Sequence, residues 1–246
     1  MNPGGDRVQH ASPPSTGIVV ALVREAKSLI QGRFPIGRPV PLGGGNYFWV
    51  SGMGAGRAGQ AAQGLLDSGC RRLLSWGVVG ALTEEVRPGM ILLPAKILSP
   101  AGASHRVDSE WRSQLEKIRG PVPLACEDLL TMDHLVTEPI EKASLRDHFP
   151  AAIVDLEAFA VAQVALGQGV PFAAIKAPLD GAQQNLPRPL MGALDPWGRV
   201  VPSRLVSGLA RMRGRDYAGL WALMGNDRQA RSALEKFARK LGWVRA

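Results

Sequence analysis

Short unbroken apolar runs alternate along the chain with stretches in which apolar residues recur every three or four positions. A run bounded by turn residues suits a buried strand, and a period near 3.6 suits a helix lying on a sheet. The alternation therefore predicts an α/β fold with crossover helices. Gly17 to Leu22 (GIVVAL) is a predicted strand, followed by a helix over Arg24 to Ile30. Tyr47 to Ser51 is a second strand ending in GMGAGRAG, after which Ala58, Ala61, Ala62, Leu65 and Leu66 fall at helical spacing up to Ser68. Strands are predicted over Arg72–Val79 and Met90–Leu98, separated by the polar loop ALTEEVRPG. Further on come a helix over Asp108–Arg119, a short strand near Pro121–Ala125 and a charged, exposed helix over Glu138–Asp147. Ala151–Asp155 is a strand with a helix over Leu156–Leu166, and Pro171–Leu179 (PFAAIKAPL) is the last strand. Beyond Pro189 the pattern becomes helical and basic, with helices near 202–212, 215–224 and 227–241.

At 246 residues and 46% hydrophobic, the chain suits one large domain with a sizeable core. Residues 1–16, rich in Pro, Gly and Ser with no apolar core, are expected to be a disordered tail rather than a secretory signal. Residues 17–200 form the expected catalytic domain, and 201–246 a basic helical extension packed on it. No apolar run is long enough to span a bilayer. Cys70 and Cys126 lack CxxC spacing and fit a reducing, cytoplasmic setting. Four histidines without clustered spacing argue against a structural zinc site. The net charge of +8 invites a nucleic-acid reading, but no base-reading motif accompanies it.

Four stretches are candidates for chemistry. Gly54, Gly56 and Gly59 form GxGxxG between a strand and a helix. The acid that a dinucleotide site wants at the end of the next strand is missing from LLSWGVVGAL. What stays open is a tight turn or an anion cradle at the helix N-terminus, with Arg57 beside it. In IVDLEAFAVA, Asp155 and Glu157 lie at a strand–helix junction, where ligands bind in open α/β sheets. They are equally explained as an N-cap and a first-turn acid. Asp180 ends an apolar strand before a polar stretch, as a catalytic acid would or as the start of an Asp-Gly turn. Arg24 and Glu25 sit just past the first strand, at a helix start where an acid is favoured anyway.

Taken in order, these segments resemble the purine nucleoside phosphorylase and methylthioadenosine/S-adenosylhomocysteine nucleosidase superfamily. GIVVAL with Glu25 is similar to that family's opening, and SGMG to its SGIG loop. SWGVVGALTEEVRPGMILLP is similar to its glycine-bearing strand and "PGD" segment, VDLEAFAVA to its VxMExxA ribose element, and APLDGA to its terminal "SD" element. The likeness runs from Gly17 to Gly181. Within the superfamily the chain most resembles the hopanoid-associated phosphorylase, which acts on adenosylhopane. The compact length, the TEPIEKASL segment and the tail ALDPWGRVVPSRLVSGLARMRGR carry that narrower resemblance. The chain departs from the family at Leu156 (usually Met), Phe159 (usually small), Leu179 (Ser in nucleosidases), Leu135 (a base-stacking Phe) and Met90 (an acid).

The resemblance implies a three-layer αβα fold around a mixed twisted sheet, nucleoside phosphorylase-like, with added C-terminal helices. It implies cleavage of a purine N-glycosidic bond, with Asp180 protonating the leaving base and Glu25 handling the nucleophile or a sugar hydroxyl. Glu157, Leu156, Asp155 and Gly80 would hold ribose and base. Ser51, Gly52, Met53 and Gly54, with Arg57 and Arg24, would cradle phosphate as co-substrate, and neither metal nor organic cofactor is required. The substrate expected is adenosylhopane or a similar lipid-linked adenosyl compound, with a hydrolytic nucleosidase and a non-catalytic nucleoside-binding protein as alternatives. A homo-oligomer is compatible with this reading. Leu234, Phe237 and Leu241 form an apolar stripe in the last, basic helix. That stripe suits either contact with an anionic membrane or packing on the domain.

Overall fold

The computed structural model describes residues 14–122, 124, 128–187, 191–211 and 214–244. Among these residues nine strands form one mixed sheet: β1 (Thr16–Val20), β2 (Val40–Gly43), β3 (Asn46–Val50), β4 (Arg72–Ala81), β5 (Lys96–Leu98), β6 (Ser104–Arg106), β7 (Leu129–Thr131), β8 (Ile153–Asp155) and β9 (Phe172–Asp180). The helices are α1 (Val23–Ala26), α2 (Ala55–Asp67), α3 (Ser109–Arg119), α4 (Pro139–His148), α5 (Ala158–Gly167), α6 (Pro202–Arg211) and α7 (Gly214–Lys240). The strand order is β2-β3-β1-β4-β8-β7-β5-β6, with β9 also paired to β4.

β4 organises the sheet. It runs parallel to β1 (Thr16 opposite Arg72, Val20 opposite Trp76) and parallel to β9 (Leu73 opposite Phe172). Its last residues, Gly80 and Ala81, pair antiparallel with Val154 and Ile153 of β8. A register shift between Val79 and Gly80 sets Gly80 opposite Asp180. Such a bulge re-aims side chains at a strand end. The ends of β4, β8 and β9 therefore meet at one point.

Each face of the sheet is covered, as sheets with parallel strands require. On one face Ala58, Ala61, Ala62 and Leu65 of α2 and Val161, Ala162 and Ala165 of α5 pack on Val19, Leu73 and Ala174. On the other, Trp111 and Leu115 of α3 and Ala230, Leu234, Phe237 and Ala238 of α7 pack on Ile18, Leu74, Trp76 and Ile175. This is the expected three-layer architecture with an added C-terminal helix.

Several boundaries differ from the expectations. The predicted strand over 90–98 is reduced to Lys96–Leu98, because Pro94 cannot donate to a ladder, and Leu92 makes only an isolated bridge to Lys176. The helix expected over 24–30 stops at Ala26, where the Ser28 hydroxyl donates to the Glu25 carbonyl at 2.6 Å. The strand expected near 121–125 lies partly outside the described residues, and Pro121, Val122 and Leu124 have no strand structure. The last two predicted helices are one, α7. Its Gly225-Asn226-Asp227 stretch stays helical while Asn226 bonds Gln184 and Asp227 pairs with Arg24 and Arg231. Helix α4 is not exposed throughout, since Lys142 is fully buried. The hairpin strand β2 and the short strands β6 and β7 have three or four residues each, too few to show a period.

The stripe offered above as a membrane face is core. Leu234 is 0% and Phe237 3% exposed, and Trp243 lies against Trp76 at 5.9 Å between ring centroids. No helix among the described residues is long and apolar enough to cross a membrane. Leu234→Ala should accordingly destabilise the protein by about 2–5 kcal/mol, as a core truncation does. Urea unfolding measures it, and a loss below about 0.5 kcal/mol would return this helix to the surface.

Candidate active site

The C-terminal ends of β1, β4, β8 and β9 enclose a cavity, where ligand crevices form in open α/β sheets. Its polar lining is acidic: Glu25 after β1, Asp155 and Glu157 at the end of β8, and Asp180 at the end of β9. Of the residues singled out in the sequence, Arg24, Met53, Gly80 and Leu156 also line it. The rest of the wall is largely apolar and includes Leu22, Leu135, Leu179, Leu186, Met191 and Leu194.

Glu25 is 3% exposed, and its two oxygens accept from the backbone N–H groups of Leu22 and Val78, each at 2.8 Å. It lies against Gly77, whose φ is +154° and where an added Cβ would come within 2.6 Å of Oε1. Only glycine permits that approach. Burial lifts the Glu25 pKa above the usual carboxylate range, against the two backbone N–H donors and the charges of Lys176 and Arg24.

Glu157 precedes α5 and reaches to the start of α2. Its Oε1 accepts from the Gly54 N–H at 2.8 Å, and Oε2 from its neighbour Leu156 at 3.3 Å. Desolvation, with the negative charge of Asp155 added, raises its pKa to about 8. Asp155 is engaged differently. Its Oδ2 meets Lys176 Nζ at 2.8 Å, and its Oδ1 accepts from the Thr131 hydroxyl at 2.7 Å and from the backbone of Glu157 and Ala158. It therefore satisfies the first N–H groups at the start of α5 and neutralises a buried lysine; the N-cap position itself falls on Glu157, not on Asp155 as the sequence alternative had it.

Asp180 is 2% exposed and forms an ion pair with Lys142, which is itself fully buried. Lys142 Nζ also donates to the carbonyls of Gly181 at 2.8 Å and Gln184 at 3.1 Å. Burial raises the Asp180 pKa to about 6 even though the Lys142 ammonium pulls it down. Gly80 keeps the other side of the acid open: a Cβ there would stand 3.4 Å from Asp180 Oδ1 and 3.1 Å from Val154.

The loop expected to cradle phosphate does not present free donors. The Gly52 N–H donates to Ala21, the Met53 N–H to Pro196 at 2.7 Å, and the Gly54 N–H to Glu157. Ser51 is buried with its hydroxyl on main-chain carbonyls, and Arg57 is exposed and bonded to the Met53 carbonyl. Neither lines the cavity, nor do Gly52 and Gly54. The acceptor at the start of α2, where a phosphate was expected, is thus the protein's own Glu157 carboxyl. Arg24 does line the cavity. One of its Nη atoms pairs with Asp227 at 3.3 Å, and its buried Nε has no hydrogen-bond partner among the described residues.

Sequence reasoning missed Lys142 and Lys176. Lys176 left a trace, a lone charge inside the apolar strand PFAAIKAPL, where it now bridges Ser75 and Asp155. Lys142 left none, because EKASLRD has the pattern of a solvated helix.

A family model described as the phosphorylase superfamily matches residues 17–195. Among solved structures, the chain is similar to the 5′-methylthioadenosine/S-adenosylhomocysteine nucleosidase of Helicobacter pylori bound to butyl-thio-DADMe-Immucillin-A. The identity is 17%, with 93% of this chain and 96% of that one covered at a TM-score of 0.64. The corresponding nucleosidase of S. pneumoniae, with the transition-state inhibitor MT-ImmA, gives 16% identity, 92% and 99% coverage and a TM-score of 0.64. Futalosine hydrolase of Helicobacter pylori gives 15%, 86% and 97%, and 0.60. At these identities the likeness is one of fold. No curated protein matches the chain.

The raised pKa of Glu157 has a consequence for stability. A carboxyl that keeps its proton in the folded state up to about pH 8, against 4.5 when free, contributes stability below pH 4.5 that is lost as pH rises through 8. Glu157→Gln cannot ionise and keeps the acceptor for Gly54. Its Tm should match the parent at pH 4.5 and exceed it by roughly 2–6 °C at pH 8.5. Calorimetry across that range checks the sign; a variant less stable at pH 8.5 than at pH 4.5 relative to the parent contradicts it.

Proposed function

The chain belongs to the phosphorylase superfamily, and on that premise we propose that it cleaves the N-glycosidic bond of an adenosine-type nucleoside, with water as the nucleophile. The observation that carries this reading is the set of three carboxyl groups, Glu25 and Asp180 buried and Glu157 half-buried, around one cavity at the sheet's strand ends. Breaking the bond leaves positive charge on the sugar and an electron pair on the departing base. Asp180, whose pKa of about 6 keeps it protonable near neutrality, gives its proton to a ring nitrogen of the base. Glu157 accepts hydrogen bonds from the ribose hydroxyls and, once ionised, opposes the cationic sugar with its charge. A water oxygen adds to the anomeric carbon as Glu25 takes one of its protons, and the proton count closes when that proton is returned to Asp180 through solvent.

Water is favoured over phosphate because the main-chain donors of residues 52–54 are already satisfied by protein acceptors. One observation favours the second reading, phosphorolysis: the unpartnered Nε of Arg24 on the cavity wall. The apolar wall formed by Leu135, Leu179, Leu186, Met191 and Leu194 suits a bulky hydrocarbon at the ribose 5′ position. Adenosylhopane, the substrate to which the narrower sequence resemblance points, is such a compound. The sugar product is then the free ribosyl compound, or its 1-phosphate under the second reading.

Asp180→Asn should fold normally and lose about two or more orders of magnitude in turnover, the usual contribution of a general acid. Near-parental turnover would remove Asp180 from the mechanism. Incubation with adenosine-type nucleosides, some carrying an apolar 5′ group, should release adenine at equal rates with and without phosphate, with mass spectrometry detecting the free sugar. A sugar 1-phosphate would instead assign the nucleophile to phosphate and a role to Arg24.

A further inference from the structure

Lys142 is the most deeply buried cation described in the protein, and nothing in the reaction as set out above uses it. It is fully buried on α4, on a segment whose neighbours Ile140, Ser144 and Arg146 face solvent. A lone ammonium in that position would be very costly, so its presence demands partners. It has three, all on one segment: the carboxylate of Asp180 and the carbonyls of Gly181 and Gln184. The segment is closed further by the Gly181 N–H on the Gln184 side chain, by Asn226 of α7 on the same oxygen at 2.8 Å, and by the Leu186 N–H on Thr137.

We propose that Lys142 is the positioning residue for the acid Asp180: its ammonium holds one carboxylate oxygen against α4, turns the other toward the cavity, and stabilises the carboxylate left when the proton goes to the base. The inference rests on the reading of Asp180 as that acid. Leu179, the residue before the acid, offers it no hydroxyl, and the group that bonds Asp180 comes from α4. Among the described residues, Lys142 is the charged group in contact with Asp180. Glu25, Asp155 and Glu157 face the same cavity from the β1 and β8 ends, Arg24 from the start of α1, and Lys176 lies four residues earlier on β9, bound to Asp155. The proton leaves an oxygen of Asp180 for the base nitrogen, the glycosidic electron pair stays with the base, and the new negative charge faces the ammonium. Lys142 neither gains nor loses a proton. A nearby cation makes the carboxyl a stronger acid at the cost of a smaller protonated share at neutral pH.

The test is a titration of the Asp180 carboxyl by carbon NMR, with the signal assigned by its absence in Asp180→Asn. In the parent the midpoint should lie near 6. In Lys142→Met it should rise by about one unit or more, and in Lys142→Arg it should stay within roughly half a unit. At pH 5, where Asp180 is protonated in both, Lys142→Met should release adenine about tenfold more slowly than the parent. Should Lys142→Met fail to fold by circular dichroism, Lys142→Gln, which keeps a donor and drops the charge, is read the same way. An unmoved midpoint, or an unchanged rate at pH 5, overturns the proposal. If Asp180→Asn itself retains parental turnover, the acid assignment fails first. If Asp180→Asn is inactive and the Lys142 variants titrate like the parent, only the role of Lys142 fails.

Discussion

Four carboxyl groups crowd one end of the sheet, three of them buried and Glu157 half-buried, and the surrounding structure is arranged around that cost. Isolated carboxylates cannot be buried, so each must find a cation, accept hydrogen bonds, or keep its proton. Asp155 and Asp180 take the first course through Lys176 and Lys142. Glu25 and Glu157 take the other two. Each accepts from backbone N–H groups, and burial still lifts both pKa values. The result is a site with distinct kinds of carboxyl: one locked into structure, one held against a cation, and two that accept from backbone N–H groups with their pKa values raised. Acid–base chemistry needs groups whose environments differ in this way.

The sheet makes this crowding feasible. β4 extends past the ends of β1 and β3, so its last turns of chain carry Gly77 and Gly80 rather than side chains that would fill the cavity. Gly77 admits the Glu25 carboxylate, and the register shift beside Gly80 brings Asp180 to the same level. The carbonyls of Pro196 and Trp197 then accept from the N–H groups of Met53 and Val23 and fix the chain ends that follow β3 and β1.

Much of this was legible in the sequence because it is local. The buried runs GIVVAL, LLSWGVV and PFAAIKAPL are strands, the alanine-rich segment after Gly54 is α2, and the acids at strand ends do converge. What was hidden depends on pairing across long chain distances. The donors of the Ser51–Gly54 loop looked free until Glu157, 103 residues away, was seen to take one. Lys142 looked solvated because a helix of charged residues gives no sign of which one turns inward. The apolar stripe of α7 has the same pattern whether it meets lipid or Trp76, and only the fold decides between them.

Gln184 illustrates a different property of the site. Its carbonyl receives Lys142, and its side-chain oxygen receives both Gly181 and Asn226. One residue thus fastens the strand end to α4, to α7 and to its own turn. The two side-chain bonds meet on one oxygen, so a single rotation of the Gln184 amide breaks both at once, whereas its main-chain carbonyl can keep Lys142. A substrate with a large 5′ group that needs this turn displaced would then free it from α7 while the Asp180 ion pair stays in place.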